Sequence, residues 1–321
     1  MTSDARTYPA NPADAAKELF RRWFGRHYAR STAITEWDTS DEAIATGTAT
    51  VGRRWDVAFA VIDTLSTDTD FQFEAARAAL ERRLDDADRS VAIWVPRGAP
   101  VPAEEPGLSQ VMIALEGARQ VDEERLEIRR PVTLYLRRTS TTGSVVTALG
   151  GLQPHWAQFT NKVPGSFQLN SAELYRLPNS EDDRLELFNR IVNVASQPHV
   201  DDGIDIATED CWTVNELESG RSYVLGAPGN ETDEASASLR RGLRRSLKAA
   251  EPVGRREAAA RALVVIGAST YSEQEKLSWA LRGMDPRLYA GFDIIVVITD
   301  GVVRVVLEPP RNTLPWDAPL G

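Results

Sequence analysis

A single cysteine, Cys211, excludes any disulfide within this chain and fits a reducing, cytoplasmic setting. Histidine is nearly as scarce. His27, His155 and His199 stand far apart, and without a C-x-x-C or H-E-x-x-H spacing the chain offers no local zinc site. No apolar run approaches the length of about 18 residues that a membrane span needs, and the start MTSDARTYPANPADAAKELF lacks the basic-then-apolar order of a signal peptide. The expectation is a cytoplasmic protein without a membrane segment.

Lysine is the fourth scarcity: Lys17, Lys162, Lys248 and Lys276 are all there are. None follows a glycine, so the phosphate-cradling G-x-x-x-x-G-K-[ST] loop is absent. The positions two before these lysines hold Ala15, Thr160, Ser246 and Gln274, so no acidic-x-lysine pair exists either. Neither a G-x-S-x-G nucleophile elbow nor a G-x-G-x-x-G dinucleotide turn occurs.

What is present is globular. With 42% hydrophobic and 26% charged residues, a packed core is available and wholesale disorder is excluded. The net charge of −10 argues against bulk attraction to nucleic acid or to an anionic membrane. The charge is uneven, however: residues 221–321 carry 14 basic against 12 acidic side chains, and residues 1–220 carry 23 against 35.

Pro12 and Asp14 open a helix through ADAAKELFRRWFGRHYA, with Leu19, Phe20, Trp23 and Phe24 as its apolar stripe. WDVAFAVID and SVAIWVP read as buried strands with the helix FQFEAARAALERRL between them, an order that favours parallel pairing. LSQVMIALEGARQ reads as a helix, and LEIRRPVTLYLRR with SVVTALG, joined by TSTTG, as a hairpin. Between them and the capped helix NSEDDRLELFNRIVNVASQ lies a turn-rich stretch whose Trp156, Phe159 and Phe167 read as core. SYVLG, ALVVIGA, DIIVVITDG and VVRVVLE are the C-terminal strands. The expected fold is α/β, with α+β as the alternative, in two layers or domains of mixed sheets flanked by helices. Its divisions are a mobile start at 1–10, an N-terminal domain over 11–180, a C-terminal domain over 181–310 and an extended tail at 311–321.

Two chemical resources stand out. HVDDGIDIATED reads as an acidic loop, followed by NELESG; carboxylates that converge can bind magnesium and support phosphodiester hydrolysis. Asp202 and Asp205 are the candidate metal ligands there, and Glu216 and Glu218 the candidate catalytic carboxylates. Solvated loop residues are the alternative. Asp56 and Asp63, on WDVAFAVID, are further strand-end carboxylates. The second resource is the helix SLRRGLRRSLKAA. At about 100° per residue, Leu239, Leu243 and Leu247 share one face, while Arg240, Arg241, Arg244, Arg245 and Lys248 form the opposite one. No acidic residue interrupts that face, so neighbouring salt bridges do not account for it. The preceding GAPG turn suits a phosphate poorly, because Glu231, Asp233 and Glu234 occupy the start of the helix.

From about Trp212 to Leu307 the order is an acidic stretch, a strand, APGN, a helix with basic residues and alanines, ALVVIGA, another helix, and DIIVVITDGVVRVV. This order resembles the α/β core of the PD-(D/E)XK nuclease superfamily and of some contact-dependent toxin nucleases. The resemblance implies metal-dependent phosphodiester hydrolysis by a strand bearing an acidic residue and a lysine ahead of a helix that crosses the sheet. The missing acidic-x-lysine pair implies that any such site is altered or lost; Gln274-Glu275-Lys276 falls in an expected helix. The functional expectation is therefore a nuclease-like C-terminal domain that contacts nucleic acid through its basic helix. The alternative is a non-catalytic accessory or scaffold protein whose arginines meet an acidic protein surface.

Overall fold

A computed structural model of the protein describes residues 10–41, 44–64, 71–150, 162–197, 203–218, 220–228, 244–267, 285–310 and 313–317, with the backbone alone over 144–150. The elements run α1 (Pro12–His27), β1 (Thr32–Asp38), β2 (Ala45–Val51), β3 (Trp55–Asp63), α2 (Phe71–Asp86), β4 (Val91–Trp94) and α3 (Gly107–Glu116). They continue with β5 (Arg119–Gln120), β6 (Leu126–Ser140), β7 (Ser144–Gly150), β8 (Gly165–Ser171), α4 (Glu181–Ala195), β9 (Gly203–Glu216) and β10 (Tyr223–Leu225). A helical segment over 244–250 precedes β11 (Ala260–Ile266), β12 (Ile294–Thr299) and β13 (Val302–Leu307). The strands lie in two mixed sheets flanked by helices, an α/β fold.

The chain forms two compact units, 1–103 with 216–321 and 104–215, so the boundary expected near Pro178–Glu181 falls inside the second unit. The first unit holds a six-stranded sheet in the order β1-β2-β3-β11-β12-β13. β1 to β3 form an antiparallel meander, β3, β11 and β12 run parallel, and β13 returns antiparallel. Asp300 and Gly301, at φ 52° and 73°, turn β12 into β13 in the left-handed conformation that a two-residue hairpin favours.

Both faces of this sheet are covered, which explains its uninterrupted apolar strands. Val57, Phe59 and Val61 pack with Leu19, Phe20 and Phe24 of α1; Ala58, Ala60 and Ile62 face the other way, with Leu247, Ala250 and Val253. Helix α1 forms where its signals predict: Asn11 accepts a hydrogen bond from the Ala13 amide, Pro12 occupies the first turn, and Arg26 and His27 sit at the carboxyl end. Gly47 of β2 is required by packing, since a Cβ there would stand 2.6 Å from the Phe59 ring. Of the start expected to be mobile only Ala10 lies among the described residues, and it is buried. Of the tail expected to be extended, residues 313–317 form a turn in which Leu314 and Trp316 are buried.

In the second unit the strand order is β9-β6-β8-β7, with α4 laying Leu187, Ile191 and Ala195 over Leu134, Leu136, Phe167, Leu169 and Ile206. The expected hairpin of β6 with β7 does not form. β8 lies between them, antiparallel to β6 and parallel to β7, because its alternating Phe167 and Leu169 fill the core from that position. Phe167 is core as expected, while Trp156 and Phe159 lie outside the described residues. From Gly203 onward the acidic stretch expected as a loop is instead β9, paired with β6 from Leu126↔Val214 to Arg137↔Gly203.

Candidate functional site

The helical segment 244–250 divides as its sequence pattern requires. Leu247 and Ala250 are fully buried on the sheet, and Arg244, Arg245 and Lys248 are exposed. Among the described residues none of these three cations has an ion-pair partner. Arg240 and Arg241 lie outside the described residues. Just beyond, Arg255 pairs with Glu251, while Arg256 is exposed and adds to the Ser40 hydrogen bonds that hold the Asp38 carboxyl below its ordinary range. Residues 244–257 thus carry five basic side chains against Glu251 and Glu257. Guanidinium groups displayed in water on a packed, rigid element can meet carboxylates or phosphates in paired hydrogen bonds.

The expected carboxylates do not form one cluster among the described residues. Asp202 lies outside the described residues, and Asp205 is exposed on β9. Glu216 ends that strand; its carbonyl accepts from Arg22, and Glu218 forms an ion pair with Arg21 at 2.6 Å. Asp205 and Glu216 are eleven residues apart on one extended strand, which rises about 3.3 Å per residue, so they do not share an ion. The pleat also sends Asp205 and Glu209 to one face and Asp210 to the other. Among the described residues no three His, Cys, Asp or Glu side chains come together as a metal site. Asp56 and Asp63 occupy opposite ends of β3. Cys211 is fully buried, and burial pushes its thiol far up, as expected of an inert structural cysteine.

Three charged arrangements were not legible beforehand. Asp210, almost fully buried, accepts from the Tyr175 and Arg176 amides at 2.8 Å each and from Trp212 Nε1 at 2.9 Å. Burial raises its pKa against those bonds, and Arg130 covers the Trp212 ring at 4.2 Å. The second is a cleft of about 340 Å³ lined by Arg119, Arg129, Asp183, Glu186, Arg190 and Glu209, among others. Arg129 donates to Glu127 at 2.9 Å, to Asp183, and to Glu209 at 3.4 Å, and it draws the Asp183 carboxyl below its usual range. Arg119 adds a second contact to Asp183 at 3.6 Å, so the Arg129 network braces α4 against β6 and β9. The third is a buried pair on α2: Arg77 Nε donates to the Val224 carbonyl at 2.7 Å and Glu81 accepts from the Val224 amide at 2.9 Å, closing the free edge of β10. Only the spacing of Arg77 and Glu81, one helical turn apart, hinted at it.

β10 pairs with β4, whereas β11 pairs with β3 and β12. No family model, curated protein or solved structure matches the chain. Among the described residues no helix is long and apolar enough to cross a membrane.

Proposed function

We propose that this protein contacts nucleic acid through the cationic face of the 244–250 segment, which the sequence pattern extends to Arg240 and Arg241. The observation that carries the reading is the exposure of Arg244, Arg245 and Lys248, unpaired among the described residues, on a segment anchored by buried Leu247 and Ala250. Such a surface neutralises backbone phosphates without reading bases. The reading is one of binding without hydrolysis, since the sequence holds no acidic-x-lysine pair to serve metal and phosphate.

The overall charge of −10 favours a second reading: an accessory or scaffold protein whose arginines dock on an acidic protein surface at short range. Fluorescence anisotropy of labelled single- and double-stranded DNA and RNA across a salt series separates the two. About four neutralised phosphates give a duplex log–log slope of roughly −3 to −4. Reversal of Arg244, Arg245 and Lys248 to glutamate abolishes that binding on the first reading. Absence of binding at low salt, or binding unchanged by the reversal, overturns it.

A further inference from the structure

Within the first unit, α2 reaches two segments that are distant in sequence. Glu81 is 1% exposed, and its two oxygens serve different partners. Oε1 accepts from the Val224 amide at 2.9 Å and lies 3.9 Å from Arg77 Nη2; Oε2 accepts from the Ala10 amide at 2.6 Å. Arg77 is itself buried. Its Nε is committed to the Val224 carbonyl at 2.7 Å and its Nη1 to both Glu74 oxygens at 3.0 Å, while Nη2 makes no hydrogen bond. Ala10 immediately precedes Asn11, the cap of α1. One carboxylate therefore ties the entry of α1 to the edge strand β10.

We propose that Glu81 is a protonation-controlled latch: ionised, it holds Ala10 and Val224 together, and protonated, it lets go of Ala10 while keeping Val224. The asymmetry follows from the surroundings of the two oxygens. The Arg77 guanidinium favours negative charge on Oε1, so a proton goes to Oε2, where a hydroxyl oxygen accepts from the Ala10 amide far more weakly than a carboxylate does. The other charged groups about the site are Glu74 and Asp85 on α2, Arg221 and Tyr223 beside and on β10, and Asp14 on α1. Asp85 is bound to the Ser222 amide at 2.7 Å and to Arg221 at 3.2 Å, and Glu74 to Arg77, so Glu81 is the carboxylate of this group that bridges Ala10 to β10. Burial, opposed by Arg77 and the two amides, pushes Glu81 up to about 7, which puts its titration near neutrality.

The test is amide hydrogen exchange and ¹⁵N shift titration of the full chain between pH of about 5.5 and about 8.5, in wild type and Glu81→Gln. Protection of Ala10, corrected for intrinsic exchange, falls roughly tenfold or more as the pH drops through 7, while Val224 stays protected and its shift follows the same midpoint. In Glu81→Gln neither amide responds to pH in this range. Equal protection of Ala10 at both extremes, or the same response in the glutamine variant, overturns the latch. If the variant fails to fold, the wild-type Ala10 shift decides alone: a flat titration near neutrality overturns it.

Discussion

Basic side chains in this chain meet opposite fates in two places. In the second unit, Arg129 is 13% exposed and bonded to Glu127, Asp183 and Glu209, so its charge is spent inside the molecule. In the first, Arg244, Arg245 and Lys248 stand in water without an ion-pair partner among the described residues. The number of cations alone is therefore uninformative. What decides between a braced and a solvated cation is whether the fold brings carboxylates within contact.

The largest effect belongs to Arg129. Arg129→Ala leaves the buried Glu127 with an unpaired charge and should cost about 3–5 kcal/mol, read as a lowered denaturation midpoint. A loss below about 1 kcal/mol would show that the cleft is no brace. Leu247→Ala comes next, at about 2–4 kcal/mol for a buried leucine, and nucleic-acid binding should weaken with it because the segment loses its anchor. Unchanged binding would separate the surface from the packing that holds it.

Glu81 supplies a pH-dependent term of intermediate size. Its folded pKa, about 7, exceeds the ordinary 4.5, so the folded chain holds more protons between those values. Stability from this group is therefore fully present below pH 4.5 and is lost as the pH rises through 7, by up to about 3 kcal/mol. Glu81→Gln should flatten that part of the stability profile, and a variant profile parallel to wild type would refute the shift. The smallest effect belongs to the exposed cations. Reversing Arg244, Arg245 and Lys248 should change stability by less than about 1 kcal/mol while abolishing anion binding. A large destabilisation would mean that they, too, are bracing residues.

Strands covered on both faces were the easiest to read: β3, β11 and β12 are continuous apolar runs because each residue meets one of two cores. β1 and β2 left weaker traces. β2 is ATGTATV, whose inward positions include glycine and alanine, chosen to make room for Phe59. β9 was hidden by its acidic residues, although Ile204, Ile206 and Thr208 alternate with Asp205, Ala207 and Glu209 as a strand requires. Of the candidate site, helical spacing made legible the exposure of Arg244, Arg245 and Lys248 opposite the buried Leu247, while Arg240 and Arg241 lie outside the described residues. The separation of Asp205 from Glu216 was not, because a loop would have let them meet and a strand does not.

Sequence alone determined the α/β class, the main buried strands, the exposed Arg244, Arg245 and Lys248 and the lack of a P-loop, a nucleophile elbow and an acidic-x-lysine pair. These are properties of composition and of periods of two or about 3.6 residues, set by backbone geometry within one element. Tertiary structure alone decided which polar groups are satisfied: Arg129 by Asp183, the Asp210 carboxyl by the Tyr175 and Arg176 amides, the Val224 and Ala10 amides by Glu81. Those contacts join residues up to 143 positions apart. Their strength depends on ångström distances and on exclusion of water, and no local periodicity encodes either.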